Sequence, residues 1–508
     1  MLSSVAFPLL VSTALQMSKP TLPSTHSQPS ISLEGVTVFD AGDLTAAAYS
    51  RAREARDQID ADTLAATVEL LYRERGFIFA EAAALRREDG SQVVEVDEGA
   101  VARLVFDGVP SRVQPSLTAI LAPALSSGPV QRPPFERALA LVSDLAGIQV
   151  QAELRPNGPN NDLIISGTVR RQAGVAGVEF IPARPGTAVR GFVSQELYGT
   201  AITGDLLRLT GVISREPSDS PSAALFGTYR VPLAANGTYA EVYAGNVIGR
   251  RTFDRTQAPL RLRGETAGGL LGIVVRRDLQ NFLYLIAEAE YQRARSRVAG
   301  TQTESNAMSG RIHVTGGHDF PRGGIMRWAL TTSVGVRLND KVQAFTDGPR
   351  RFAHLRGDFG IVRVISRDSN ITIRFDARAQ LSGTTLPEVE RFALGHAPFL
   401  RGYAPAEVEG DSGVSGTLEI SRSFERQSAK SITSLAPFAF FSAGAAWLDQ
   451  PRPTLGERRA RRIASIGAGT DLRWGPWQLS GWGAIPLAAG PRTKAGNVAA
   501  YLALTRGW

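Results

Sequence analysis

The sequence predicts a mainly β protein, a 16-stranded transmembrane antiparallel β-barrel over residues 172–508 preceded by two small α+β modules at 31–100 and 101–171. Three observations carry that prediction. From about residue 174 to the end, segments of roughly ten residues with apolar side chains at alternate positions are separated by Gly, Pro, Asn and Asp. Their apolar faces recur over more than half the chain with no helical layer to cover them, and lipid is the remaining cover. The stretch before residue 171 has a different texture, in which helical and strand periods alternate.

Taken in order, residues 1–17, "MLSSVAFPLLVSTALQM", have the length and apolarity of a secretory h-region but lack a basic n-region and an Ala-x-Ala site. Residues 1–30 are therefore read as a signal segment and a Ser/Thr/Pro/Gln-rich linker. The first module contains an amphipathic helix around Leu64 to Arg75, a stop at Gly76, a strand, a turn at "EDGS" and a strand ending at "DEGAV". The second contains "LTAILAPALSSG", the helix "PPFERALALVSDLAG", and the hairpin "IQVQAELRPNGPNNDLIISGTVRR". In the barrel, "NITIRFDARAQL" places Ile371, Ile373, Phe375, Ala377, Ala379 and Leu381 on one face and Thr372, Arg374, Asp376, Arg378 and Gln380 on the other. About sixteen such segments occur, an even number of the kind single-chain bacterial barrels use. In a bilayer every backbone polar group must pair within the protein, so such a sheet must close, leaving polar faces around a wet lumen. The most apolar stretch, "SLAPFAFFSAGAAWL" at 434–448, is broken by Pro437 and falls short of the ~18 residues a membrane helix needs.

Composition narrows the chemistry. There is no cysteine, so disulfides, thiolate nucleophiles and Cys-ligated metals are excluded. The net charge of +8 is spread along the chain with no dense basic block, which argues against nucleic-acid binding. The histidines (His26, His313, His318, His354, His396) do not cluster in sequence, and His313 and His318 face opposite sides of a strand; no metal is expected. "GAGTDL" at 467 lacks the third glycine of a dinucleotide fingerprint. Glu288 and Glu290 read as solvated lumen charges rather than a catalytic pair. No enzyme activity and no cofactor are expected.

The phrases "LYRERGF" and "VVEVDEGAV" in the first module, and "ALALVSDLAGIQVQAELRP" leading to "DLIISGTV" in the second, resemble POTRA modules. The barrel adds "FLRGY", "GDSGVSGTLEISRSF", "LAPFAFFSAGAAWL" and "SIGAGTDLRWGPWQLSGWGAIPL". In order and spacing these are similar to haemolysin-secretion and activation proteins of the ShlB/FhaC/HecB type, the transporters of two-partner secretion. The resemblance implies that loop 383–411 folds back into the barrel and that Arg401, Gly402 and Tyr403 touch the inner wall. The family's strand phrase Phe-x-Asp-x-Gly reads Phe440-Phe441-Ser442-Ala443-Gly444 here, so the carboxylate expected to hold Arg401 is missing. By strand parity the replacements are Glu419 and Asp471. Trp508 would be the terminal aromatic read by barrel-assembly machinery, with Leu502 and Leu504 on its face, although Arg506 stands where an apolar residue is usual.

The implied partners are outer-membrane lipid and one secreted exoprotein of the adhesin or cytolysin class, bound through its N-terminal domain. A monomer is expected, in the bacterial outer membrane with its modules in the periplasm. Two other readings stand beside this one: an outer-membrane assembly factor or insertase of the same superfamily, and a porin-like channel.

Overall fold

The computed structural model describes residues 31–54, 60–126, 128–157, 160–182, 187–216, 220–251, 260–298, 301–340, 349–395, 399–428, 431–450 and 459–508. The signal segment expected at 1–30, with His26, lies outside the described residues, as does His396.

The first compact unit, ending at Gly99, is a three-stranded sheet covered by two helices. Its strands Ser32–Glu34, Glu81–Arg86 and Gln92–Asp97 are ordered with the last in the centre, parallel to the first and antiparallel to the second. Helix Ala61–Glu74 starts where the Asp60 carboxylate accepts a hydrogen bond from the Thr63 amide at 2.8 Å. Its Leu64, Val68, Leu71 and Tyr72 fall on one stripe and are buried against the sheet. The helix Ala41–Glu54 escaped the sequence reading; its capping residue Asp40 accepts from the Gly42 and Asp43 amides, but its alanine-rich face carries only a weak apolar stripe.

Beyond Gly99 the same plan repeats. Strand Val101–Asp107, helices Gln114–Leu125 and Arg132–Ser143, and the hairpin Ile148–Asn157 with Asn160–Val169 again form a three-stranded sheet whose last strand is central, parallel to the first and antiparallel to the second. This module docks on one rim of the barrel. Asp144, capping the end of its second helix, accepts from Arg277 at 2.8 and 2.9 Å and from Tyr284 Oη at 2.8 Å. Thr203, in a rim turn, reaches the Arg112 carbonyl at 3.3 Å.

The barrel is closed and 16-stranded. One strand is interrupted at Ser423 into Ser412–Arg422 and Phe424–Ser428, both paired to Ser431–Trp447. Its seam joins the first strand, Gln172–Pro182, to the last, Ala499–Gly507, through the register Val175–Phe180 with Leu502–Gly507. Alternation decides the two faces: Ile213, Leu225, Val242 and Val334 project outward at 58–68% exposure, while Ser333, Gln380, Ser442 and Ser465 are fully buried within. With no water in the bilayer, closure satisfies every ladder and the outward apolar rows meet lipid. No helix among the described residues is long and apolar enough to cross a membrane. The stretch 434–448 lies on the barrel strand Ser431–Trp447, with Pro437 inside it.

Candidate functional site

Strand Ile371–Ser382 ends at the rim away from the docked module, and the chain does not turn directly into Ser412–Arg422. The described residues of 383–411 instead form a folded insert with a 3₁₀ turn, Glu388–Glu390, and a small hairpin, Phe392–Leu394 with Val408–Gly410. Phe392, Leu394, Leu400, Tyr403 and Val408 form a core with Ala446 and Ile463 of the barrel wall. A methyl at Gly444 would lie 2.8 Å from Leu400 Cδ1, so glycine there makes the seat for Leu400. The sequence gives no period for this hairpin because its strands are three residues long.

The tip is formed by four consecutive residues. Leu400 adopts a left-handed φ of +65°, a conformation that costs a bulky residue about 1–3 kcal/mol and persists only where the surroundings impose it. Arg401 Nη1 donates to Glu419 Oε2 at 2.6 Å. Its guanidinium carbon stands 4.5 Å from the Phe440 ring centre and 5.2 Å from that of Phe438. The cation thus has a carboxylate on one side and two π faces on another. Gly402 has φ +93°, and a Cβ there would stand 2.9 Å from Ala484 Cβ, so both backbone and space require glycine. Tyr403 Oη is 2.7 Å from the carbonyl oxygens of both Ala464 and Ala488, donating to one at a time, and accepts from the Ala464 amide at 3.2 Å.

The other expected residues sort cleanly. Glu419 receives Arg401. Asp471 instead accepts a hydrogen bond from Ser480 on the neighbouring strand, because the two share one cross-strand pair. Ser442, fully buried, bonds Thr417 Oγ1 at 2.9 Å, while the Arg401 ion pair goes to Glu419. The "GAGTDL" phrase proves to be packing: a Cβ at Gly467 or Gly469 would lie 2.4 Å or 2.5 Å from the ring of Phe440 or Phe438. Trp508 closes the seam, exchanging backbone hydrogen bonds with Gly174 at 3.0 and 3.1 Å and donating from its indole to Gln195 at 3.1 Å. The guanidinium of Arg506 sits over the Trp477 ring.

A second set of anchors, absent from the sequence reading, holds the base of the insert. Glu390 is 2% exposed and accepts from Arg311 at 2.7 Å, with His354 Nε2 3.0 Å away. Arg311 also pairs with Glu290, and His313 Nε2 lies 2.6 Å from Glu288. Glu288 and Glu290 are therefore not solvated lumen charges: Glu290 is 9% exposed, because Arg311 joins it to the buried carboxylate of the insert's 3₁₀ turn. For the same reason His313 and His354 are not isolated; Arg311 links their carboxylates. Gln380 donates to the Glu390 and Asp411 carbonyls at 2.9 and 3.1 Å. Asp411 accepts from the Leu386 and Asp449 amides, and Glu407 from the Arg492 and Thr493 amides. Among the described residues no group of His, Asp and Glu could hold a metal ion.

Residues 204–472, more than half of the chain, match the family model of the haemolysin secretion/activation protein ShlB/FhaC/HecB. In fold the chain is similar to CdiB from Escherichia coli (TM-score 0.71, 15% identity, covering 94% of this chain and 90% of that one). It is also similar to CdiB from Acinetobacter baumannii (TM-score 0.67, 14% identity, 95% and 91%). BamA from Haemophilus ducreyi lacking POTRA domains 1–3 is more distant (TM-score 0.52, 15% identity, 87% and 92%). No curated protein sequence matches the chain.

Proposed function

Since the chain belongs to the ShlB/FhaC/HecB haemolysin secretion/activation family of outer-membrane transporters, we propose that it exports one partner exoprotein through its barrel lumen. The observation that carries this reading is the insert 383–411. It is a folded hairpin seated on the inner wall and held by short polar contacts, so it both occupies the lumen and has discrete anchors to release.

In this reading the two modules face the periplasm and take up the client's N-terminal domain in an unfolded state. Each module has two sheet edges, and an added client strand would gain main-chain hydrogen bonds that tolerate many sequences. The Arg401–Glu419 contact and its aromatic seat keep the insert docked in the resting state; the client displaces the tip on entry, and export depends on a seat that places the tip to meet the client and takes it back afterwards. Client folding outside prevents return, so no nucleotide is hydrolysed. The client is an adhesin or a cytolysin, Trp508 is the residue read by the assembly machinery, and the protein works as a monomer.

The test compares culture supernatants of cells with and without this protein. Disappearance of one large secreted protein supports the reading and names the client. An unchanged supernatant together with loss of several outer-membrane proteins would replace export with membrane-protein assembly, and loss of small-solute uptake alone would replace it with a porin.

A further inference from the structure

On the outer wall of three adjacent strands, Tyr239–Arg251, Leu260–Arg277 and Asn281–Val298, the apolar belt ends abruptly in arginines, and the next strand, Thr301–Asp319, sets Asn306, Glu304 and Gln302 beside them. On the third of these, Leu283, Leu285, Ala287, Ala289 and Tyr291 share the outward parity, nine residues from first to last. That is the length a tilted strand needs to cross the hydrocarbon, ~9–11 residues, and Tyr291 stands where an interfacial aromatic girdle belongs. The next outward positions are Arg293, Arg295 and Arg297. Pairing with the second strand runs without a shift from Ile273 opposite Leu285 to Arg261 opposite Arg297, so the neighbours share that face.

The rows beyond Tyr291 are read from the register. Glu265 stands opposite Arg293, and Arg263 opposite Arg295, which faces Glu304 on the other side. The last row runs Arg250, Arg261, Arg297, Gln302, three guanidinium groups directly opposed in succession. The two carboxylates are taken up by Arg263 (2.8 Å), Arg293 (2.7 Å) and Arg295 (3.3 Å). Arg250, Arg261 and Arg297 are exposed, and Arg297 donates to Gln302 at 2.8 Å. Like charges directly opposite in a sheet destabilise it, and a row of three needs a counter-charge. The row lies at the rim away from the docked module, since Arg277 and Tyr284, at the other ends of the same strands, bind Asp144.

We propose that this arginine face is a binding site for the phosphate-bearing headgroup of a lipid in the leaflet away from the periplasm. Planar guanidinium forks engage phosphate oxygens in pairs. The arginine face begins at Arg293, one outward position beyond Tyr291, and ends two positions further at the row of Arg250, Arg261 and Arg297, so it starts at the depth of a headgroup whose acyl chains lie along Leu285, Ala287 and Ile273. The proposal rests on the outer-membrane barrel and is independent of secretion.

The test uses the full chain refolded in neutral detergent and titrated with bis-phosphorylated lipid A, its mono-phosphorylated and dephosphorylated forms, inorganic phosphate, and poly-glutamate. The readout is the temperature at which the compact gel form is lost. Expected is a rise of several degrees that grows with phosphate number on the lipid, and at least a tenfold weaker apparent affinity for Arg250→Gln/Arg261→Gln/Arg297→Gln, with the corresponding lysine variant retaining most of the effect. Equal stabilisation by dephosphorylated lipid, or an unchanged affinity of the glutamine variant, would overturn it. So would an equal effect of free phosphate at matched concentration, which leaves a bare anion site, or of poly-glutamate, which points to an acidic protein. Should the glutamine variant fail to fold, the phosphate series on the unmodified chain decides alone.

Discussion

Arg401→Ala removes the 2.6 Å ion pair and the two ring contacts, and leaves Glu419 with a side chain only 15% exposed. A stranded member of a desolvated pair costs about 3–5 kcal/mol, and a solvated pair contributes about 0–1. The low exposure places Glu419 nearer the first limit, while its opening to a wet lumen relieves part of the penalty. With about 0.5–1 kcal/mol for the lost cation–π contacts, the sum is about 2–3 kcal/mol. Tyr403, Glu390, Glu407 and Asp411 still hold the rest of the insert, so this energy falls on the docked state of the tip and shifts that equilibrium about 30–150-fold. No barrel ladder bond is touched, and the heat-modifiable form should accumulate to its usual level. Because the chain has no cysteine, a single Ala404→Cys reports docking through its reactivity with an impermeant maleimide. Reactivity is expected to rise by that factor in Arg401→Ala, secretion per heat-modifiable barrel to fall at least tenfold, and the cycle with Glu419→Gln to show a coupling of about 1 kcal/mol or more. Unchanged reactivity with full secretion would refute the lock, and strict additivity would refute the Arg401–Glu419 pairing.

Glu390→Ala should strip Arg311 and His354 of their buried acceptor, cost about 3–5 kcal/mol, and expose the insert to proteolysis without abolishing barrel formation. Gly402→Ala should impair secretion although Arg401 is intact, because the backbone is left-handed and Ala484 fills the space; wild-type export by this variant would show that the tip does not sit against Ala484. Ser442→Asp should restore export to Glu419→Gln, yet lower it in the unmodified chain, where two carboxylates would crowd one face; secretion assays on the three variants read this directly. In the first module Glu98, 7% exposed, is pulled two ways: burial alone would raise its pKa, but hydrogen bonds from Thr37, Tyr72 and the Val38 amide outweigh that and hold it below the usual 4.5. A lowered folded pKa means that the stabilisation is complete above 4.5 and lost as pH falls through the folded value. Residues 31–100, followed by circular dichroism, should lose stability on acidification, and Glu98→Gln should remove that dependence.

The barrel was legible because period-two alternation is imposed by lipid on one side and a polar lumen on the other, as in Ile371–Leu381, where each residue's face follows from its parity. The helix around Leu64 was legible for the same kind of reason, its buried stripe being continuous. Helix Ala41–Glu54 was not, since alanines at its buried positions produce little contrast with the rest of the turn. The hairpin inside the insert and the Glu390–Arg311–Glu290 connection were invisible because they join residues 79 and 21 positions apart. Periodicity reports which face a residue takes but not what a distant loop brings to it, so Glu290 reads as a lumen charge until Glu390 is placed beside Arg311.

The exchanged carboxylate shows how far parity alone constrains a lock. Thr417 pairs with Ser442 and Glu419 with Phe440, so Glu419 is the diagonal neighbour of Ser442, about 7–8 Å away along the same inner face. An acid moved from position 442 to 419 stays in the lumen, and the extra methylene of glutamate over aspartate recovers part of the distance. The guanidinium is then held by Phe438 and Phe440, whose rings occupy space that a side chain at Gly469 or Gly467 would take. A Cβ at Gly467 would meet the Gly483 carbonyl oxygen at 2.2 Å as well as the Phe440 ring at 2.4 Å, so Gly467→Ala should disturb Arg401 without touching it, by shifting the neighbouring strand and lifting Phe440 from its seat. The maleimide reactivity of Ala404→Cys should rise in Gly467→Ala and fail to rise further when Arg401→Ala is added. Additive increases from the two substitutions would mean that the aromatic seat and the ion pair hold the tip separately.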